Sequence, residues 1–247
     1  MSFDVGMVLD ATDAQLESEI TRTPENIRLR YRENRHWSLY QKEWIYRNIP
    51  LQGKDVLDFG CGTGEIATQL AFLGANKIYA LDVDHGLLEA TRRRAELDDV
   101  ADRIETVKGP IGNVEPRQVD VIIAYAVLHH CFPLENLMPY LLRWLKPGGV
   151  FVAREPVSYS ATLEWLRNHS GVPKGPLDEG ERKLQLADVQ YLKSNFSSSQ
   201  TVNFYLLDRL SRVWPKADRL YRRLDRFILR LPGVWKLSGD TLIVGRR

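Results

Sequence analysis

The chain has 247 residues, enough for one α/β domain with decorations and a large buried core. Its 44% hydrophobic and 27% charged residues are ordinary for a globular protein, with no low-complexity tract or internal repeat. No apolar run approaches the roughly 20 residues that span a bilayer. The acidic N-terminus lacks a basic-then-apolar leader pattern, and Cys61 and Cys131 make neither a disulfide framework nor a metal site, so a cytoplasmic location without metal is expected.

The net charge of +2 is unevenly distributed. From Arg209 to Arg247 eleven Lys/Arg face three Asp, a balance of +8, which leaves the remainder at −6. That distribution argues against a whole-surface nucleic-acid binder and leaves a local basic patch to explain.

Taken in chain order, residues 1–50 read as a helical lead-in. Thr23-Pro24-Glu25 supplies a helix start, and Pro50 and Gly53 supply a stop. Tyr31, His36, Trp37 and Tyr40 lie on this segment, where they serve either as a lid over a substrate or as packing against a sheet edge. From Lys54 short apolar strands alternate with helices. Strands are expected at Asp55–Phe59, Lys77–Asp82, Ile104–Lys108, Val119–Tyr125 and Gly149–Arg154, and helices at Glu65–Leu73, Gly86–Leu97 and Leu134–Trp144. Such alternation predicts an α/β fold, a Rossmann-like doubly wound sheet. Thr201–Leu207 and Thr241–Gly245 read as two further strands that bring the total to seven, mostly parallel with the last antiparallel. Segments 156–199 and 208–239 read as helical cap insertions on the substrate side of a domain spanning 51–247.

The strongest motif is Val56-Leu57-Asp58-Phe59-Gly60-Cys61-Gly62-Thr63-Gly64, an apolar strand running into three alternate glycines before a helix. Glycines there let backbone amides approach a ligand at the carboxyl end of the first strand. A dinucleotide fingerprint needs a small residue where this chain has Glu65, and Asp58, read as standing at the mouth of the loop, would repel a pyrophosphate while attracting a cationic nucleoside. Asp82, at the end of the second strand, is placed to take both hydroxyls of a ribose. The competing readings are a helix-stabilising charge for Asp58 and a turn residue for Asp82.

Val56–Gly64, the run Ala80-Leu81-Asp82-Val83-Asp84 and the segment Leu145-Lys146-Pro147-Gly148-Gly149 together resemble motifs of the class I S-adenosylmethionine-dependent methyltransferases, over roughly residues 50–155. The resemblance implies S-adenosyl-L-methionine as cofactor. Gly60 and Gly62, with Phe59 and Cys61 between and beside them, would pass under its methionine part, and Asp58 would lie near its ammonium. Asp82 would hold the ribose, Val83 would press on the adenine, and Pro110 and Ile111 would flank the adenine edge. The acid or amide that relatives often carry near Pro110 is absent, with Asn113 or backbone groups as substitutes. Ala124, at the end of the fourth strand, completes the expected cofactor set.

Ala124-Tyr125-Ala126-Val127 stands where methyltransferases of nucleobase amines carry an Asn/Asp-Pro-Pro-aromatic motif, which argues against that chemistry. His129 and His130 follow and are candidates for a general base, against a structural role for the pair. A small-molecule acceptor, with a hydroxyl of a metabolite, quinone precursor or natural product accepting the methyl, is the expectation. The alternatives are methylation of RNA or protein, a different reaction on the same fold, or a non-catalytic partner that binds the cofactor. Residues 216–231 form a basic amphipathic helix. Packing on the domain with its arginines outward is the simpler expectation, and peripheral membrane contact is the other.

Overall fold

Short apolar strands separated by helices can pair in parallel, because each crossover helix covers one face of the sheet on its way to the next strand. The computed structural model, which describes residues 38–160, 165, 182–207, 214 and 217–247, has this architecture. The described elements are α1 (Ser38–Asn48), β1 (Asp55–Phe59), α2 (Glu65–Phe72), β2 (Lys77–Asp82), α3 (His85–Leu97) and β3 (Ile104–Lys108). They continue with β4 (Val119–Tyr125), α4 (Leu134–Trp144), β5 (Leu145–Pro156), α5 (Leu186–Ser194), β6 (Ser198–Phe204), α6 (Asp218–Ile228) and β7 (Asp240–Arg246).

The seven strands lie in the order β3-β2-β1-β4-β5-β7-β6. The first five pair in parallel, and β7 runs antiparallel between β5 and β6. Strands β2 and β3 are laid to one side of β1, and β4 and β5 to the other. The strand order therefore reverses beside β1, which opens a crevice at the carboxyl ends of β1 and β4.

Because side chains alternate along a strand, each strand feeds both faces of the sheet. Val56, Ile78, Val121, Ile123 and Val152 pack under Ile45 of α1, Leu70 of α2 and Leu88 of α3. Leu57, Ile122, Phe151 and Ile243 pack under Met138 and Trp144 of α4 and Leu192 of α5. The doubly wound expectation is met.

Three differences from the sequence reading stand out. Strand β5 starts four residues early: Lys146 reaches Asp120 at 3.0 Å, and the pairing with β4 slips between Val119 and Val121, so the glycine pair is absorbed as an irregularity. Strand β6 lies three residues upstream of 201–207, because its register with β7 runs from Ser198↔Arg246 to Phe204↔Asp240. Tyr205 then turns left-handed at φ 65°, and the amides of Leu206 and Leu207 bond Asp225 instead of a strand. Segment 156–199 is not helical throughout, since it holds the end of β5, helix α5 and the start of β6.

The orientation of α6 also differs. Asp225 and Leu229 face the body, whereas Leu220, Leu224 and Phe227 are exposed. The bonds from Leu206 and Leu207 to the Asp225 carboxylate hold that side inward. Among the described residues no helix is long and apolar enough to cross a membrane.

Candidate active site

The loop after β1 is pinned to β2: the amides of Gly60 and Cys61 donate to Leu81 O at 2.8 and 3.0 Å. Gly60 sits at φ +71°, and a Cβ there would lie 2.3 Å from Cγ2 of Val127, so backbone conformation and space both demand glycine. Gly62, at φ +54°, is different: a Cβ would meet nothing within 4 Å. Its open side faces the space a ligand would fill, while its carbonyl accepts from Thr91 Oγ1 at 2.9 Å.

Asp82 is held at both carboxylate oxygens. Oδ2 accepts from Gly62 N at 3.0 Å and Oδ1 from Asp84 N at 3.1 Å. Each oxygen keeps lone-pair capacity for a further donor. Val83 follows, 65% exposed. The register Asp82↔Lys108 brings it beside exposed Pro110, with Ile111 buried just below.

Asp58 lies beneath the loop at 1% exposure, rather than at its mouth as the sequence suggested. Burial, seconded by the charge of Asp82, pushes its carboxyl up to about 7, and Lys42 opposes the shift. Its Oδ2 has no hydrogen-bond partner. Lys42, also buried, extends from α1 to Glu65 Oε1 at 2.7 Å. Cys61 is buried and its thiol is driven far above the usual range by that burial, so it is no nucleophile. Phe59 and Ala124 are cross-strand partners, both enclosed in the core below the loop.

At the end of β4, Ala126 adopts φ +58°, and its amide donates to Arg154 O at 2.7 Å. The turn Leu128–His130 follows. Glu155, fully buried at the end of β5, organises it. Oε1 accepts from Val127 N at 2.9 Å and Leu128 N at 2.7 Å, and Oε2 lies 2.8 Å from His129 Nδ1. Where Glu155 is a carboxylate it only accepts, so Nδ1 donates, and in the neutral ring Nε2 is then the acceptor. His130 is exposed, its ring 4.0 Å from that of His129.

A second buried polar cluster ties α1 to the same ends of the sheet. Gln41 donates to Asp240 Oδ2 at 3.1 Å and accepts from Arg154 Nε at 2.7 Å and Tyr125 OH at 3.2 Å. Arg154 also pairs with Asp240, which keeps its guanidinium charged despite burial.

Of the residues the sequence singled out, Gly62 and Asp82 are joined by the Gly62 N bond to Asp82, and Val127, on the turn that leads to His129, lies against Gly60. The sequence reading missed Glu155, Gln41 and Lys42. Ending the fifth strand at Arg154 hid Glu155, one residue further on, where the carboxyl end of a parallel strand could have flagged it. Of the lid residues, Tyr31, His36 and Trp37 lie outside the described residues, and Tyr40 falls on the first turn of α1. A cavity of about 840 Å³ lies elsewhere, at the β6 edge between Trp44, Lys193, Arg226 and Trp235, and none of the loop residues, Asp82 or His129 lines it.

Residues 57–153 match the family described as Methyltransferase domain. A Ribosomal protein L11 methyltransferase of Vibrio campbellii is 36% identical over 107 residues, 43% of this chain and 35% of that protein. The chain thus spans about a third of the length of the curated relatives it matches. Among solved structures, an S-adenosylmethionine dependent methyltransferase from Mesorhizobium loti superposes with a TM-score of 0.57 at 18% identity, over 83% of this chain and 96% of the other. Magnesium protoporphyrin IX methyltransferase from Synechocystis PCC 6803, with bound SAH, gives 0.57 at 16% identity over 84% and 80%.

Proposed function

From the match of residues 57–153 to the Methyltransferase domain family, we propose that this protein is a class I S-adenosylmethionine-dependent methyltransferase that methylates a small molecule on a hydroxyl oxygen. The observation that carries the reading is the pairing of Asp82 with the open side of Gly62. Two carboxylate oxygens are pre-oriented for a ribose diol beside a backbone cradle that a Cβ would fill. Asp58, buried beneath the loop, fits the same cofactor through its charge, which when ionised favours a cationic ligand above the loop and would repel a phosphate. Val83 and Pro110 offer an apolar face to the adenine.

When bound, S-adenosylmethionine supplies a methyl group already activated by a sulfonium. The chain has then to align the acceptor, exclude water and take one proton. His129 is the group assigned to that proton: Glu155 holds Nδ1–H, so Nε2 receives the proton that the hydroxyl releases. His130 has no such orientation from Glu155, and we assign it no proton transfer.

A protein acceptor is a second reading, favoured by the name of the Vibrio campbellii relative. That similarity covers 107 residues, 43% of this chain, and so speaks for the cofactor half rather than for the acceptor. Incubation with methyl-labelled cofactor and a fractionated cell extract tests both. Label in the small-molecule fraction, released by ether-cleaving acid, supports the proposal. Label in protein or RNA, or tight cofactor binding with no transfer to any fraction, overturns it.

A further inference from the structure

An amphipathic helix on a protein surface ordinarily turns its apolar stripe to the core. In α6 the reverse holds. Leu220, Leu224 and Phe227, at spacings of four and three residues, form one stripe and are 55%, 39% and 69% exposed, and Leu231, past the helix end at Ile228, is 42% exposed. The opposite side is the anchored one, with Asp225 and Leu229 buried. Arg223, Arg226 and Arg230 are exposed along one flank of the stripe, and half-buried Tyr221 and Ile228 lie on the other. Neither Arg223 nor Arg230 has an ion-pair partner among the described residues.

We propose that α6 and the turn after it form an interfacial membrane anchor, Leu220, Leu224, Phe227 and Leu231 entering the acyl boundary of an anionic bilayer while Arg223 and Arg230 engage the headgroup phosphates.

Two arguments select a bilayer over a protein partner. The apolar stripe and its basic flank lie side by side, and at an anionic bilayer a shallow apolar insertion and a basic flank add their effects. The charge is also matched: residues 216–231, which carry the stripe, hold six Lys/Arg against two Asp, a balance of +4, while the −6 of residues 1–208 opposes drawing the rest of the chain flat onto an anionic surface. The inference is independent of which acceptor is methylated.

The test is co-sedimentation of the full chain with vesicles of phosphatidylcholine alone, or containing about 30% phosphatidylglycerol. The wild type should pellet with the anionic vesicles, less so at high salt, and stay in solution with the neutral ones. Leu224→Ser with Phe227→Ser should weaken partition at least about tenfold by removing the inserted side chains. Replacing Arg223 and Arg230 by Gln should weaken it about fivefold per charge. These side chains are exposed, so circular dichroism and melting temperature should stay close to wild type. Absence of the wild type from anionic pellets, equal pelleting with neutral vesicles, or unchanged binding of the serine variant overturns the proposal. So does a concentration-dependent dimer that Phe227→Ser abolishes while vesicles are ignored.

Discussion

Nδ1 of His129 lies 2.8 Å from Oε2 of Glu155, whose other oxygen takes the amides of Val127 and Leu128. One buried carboxylate from β5 thus fixes both the turn after β4 and the ring which that turn carries. Glu155→Gln keeps the shape but loses the charge and leaves one backbone donor or the imidazole poorly met. We expect a melting loss equivalent to about 1–3 kcal/mol, the usual cost of a compromised buried hydrogen bond. We also expect kcat to fall at least about tenfold with little change in cofactor Kd, in keeping with misorientation of a general base. A stability loss with normal kcat would leave Glu155 a purely structural residue and remove His129 from the chemistry.

Asp82→Ala removes two oxygens that already hold Gly62 and Asp84 and that are placed for a ribose diol. Cofactor affinity should drop about 10- to 100-fold, corresponding to about 1.5–3 kcal/mol for hydrogen bonds to a charged group. Isothermal titration with S-adenosylhomocysteine measures it. Affinity within a factor of two of wild type would show that the ribose sits elsewhere.

The loop glycines should separate folding from binding. Gly60→Ala meets Val127 at 2.3 Å in a left-handed backbone, so it should lower stability by about 2–4 kcal/mol from overpacking and strain together. Gly62→Ala has no atom within 4 Å of its new methyl, so only the left-handed conformation, about 1–2 kcal/mol, opposes it. Its larger effect should be on cofactor affinity, since the methyl enters the ligand's space. Equal melting losses with unaltered binding in both variants would contradict the placement.

The Asp58 carboxyl, near 3.8 when unfolded and about 7 when folded, makes its neutral form the one that the fold prefers. Its contribution to stability is fully present below about pH 4 and is lost as pH rises to about 7, an effect on the order of 4 kcal/mol. Asp58→Asn should therefore melt higher than wild type at pH 8, with the difference vanishing near pH 4. Cofactor affinity should run the other way, improving in wild type as pH rises through 7 and the carboxylate ionises beneath the loop that a cationic ligand would cover. A pH-independent difference between the two proteins would show that Asp58 does not titrate in this range.

Much of the fold was legible because period and punctuation are local. The strand at Asp55–Phe59 and the helix at Leu134–Trp144 stand where apolar runs, glycines and prolines placed them. The edge strand β6 was misplaced by three residues, because its limits come from the β7 register and from the Asp225 bonds to Leu206 and Leu207, which span 19 and 18 residues. The site divides in the same way. Gly60, Gly62 and Asp82 belong to one βαβ unit and could be read in a single pass, whereas Glu155 reaches His129 across 26 residues and Gln41 reaches Asp240 across 199.

From the amino-acid order alone came the sheet class, the glycine turn and the two acids that suit a cationic nucleoside, because these depend on neighbours within a few residues and on charge. Tertiary structure alone decided three matters. Asp58 is sealed under the loop instead of standing at its mouth, one of two adjacent histidines is clamped by a carboxylate, and the apolar stripe of α6 faces outward. Each turns on which groups distant in the chain come to lie within bonding range. Periodicity carries no information on that, since a hydrophobic stripe has the same spacing whether it faces a core or solvent.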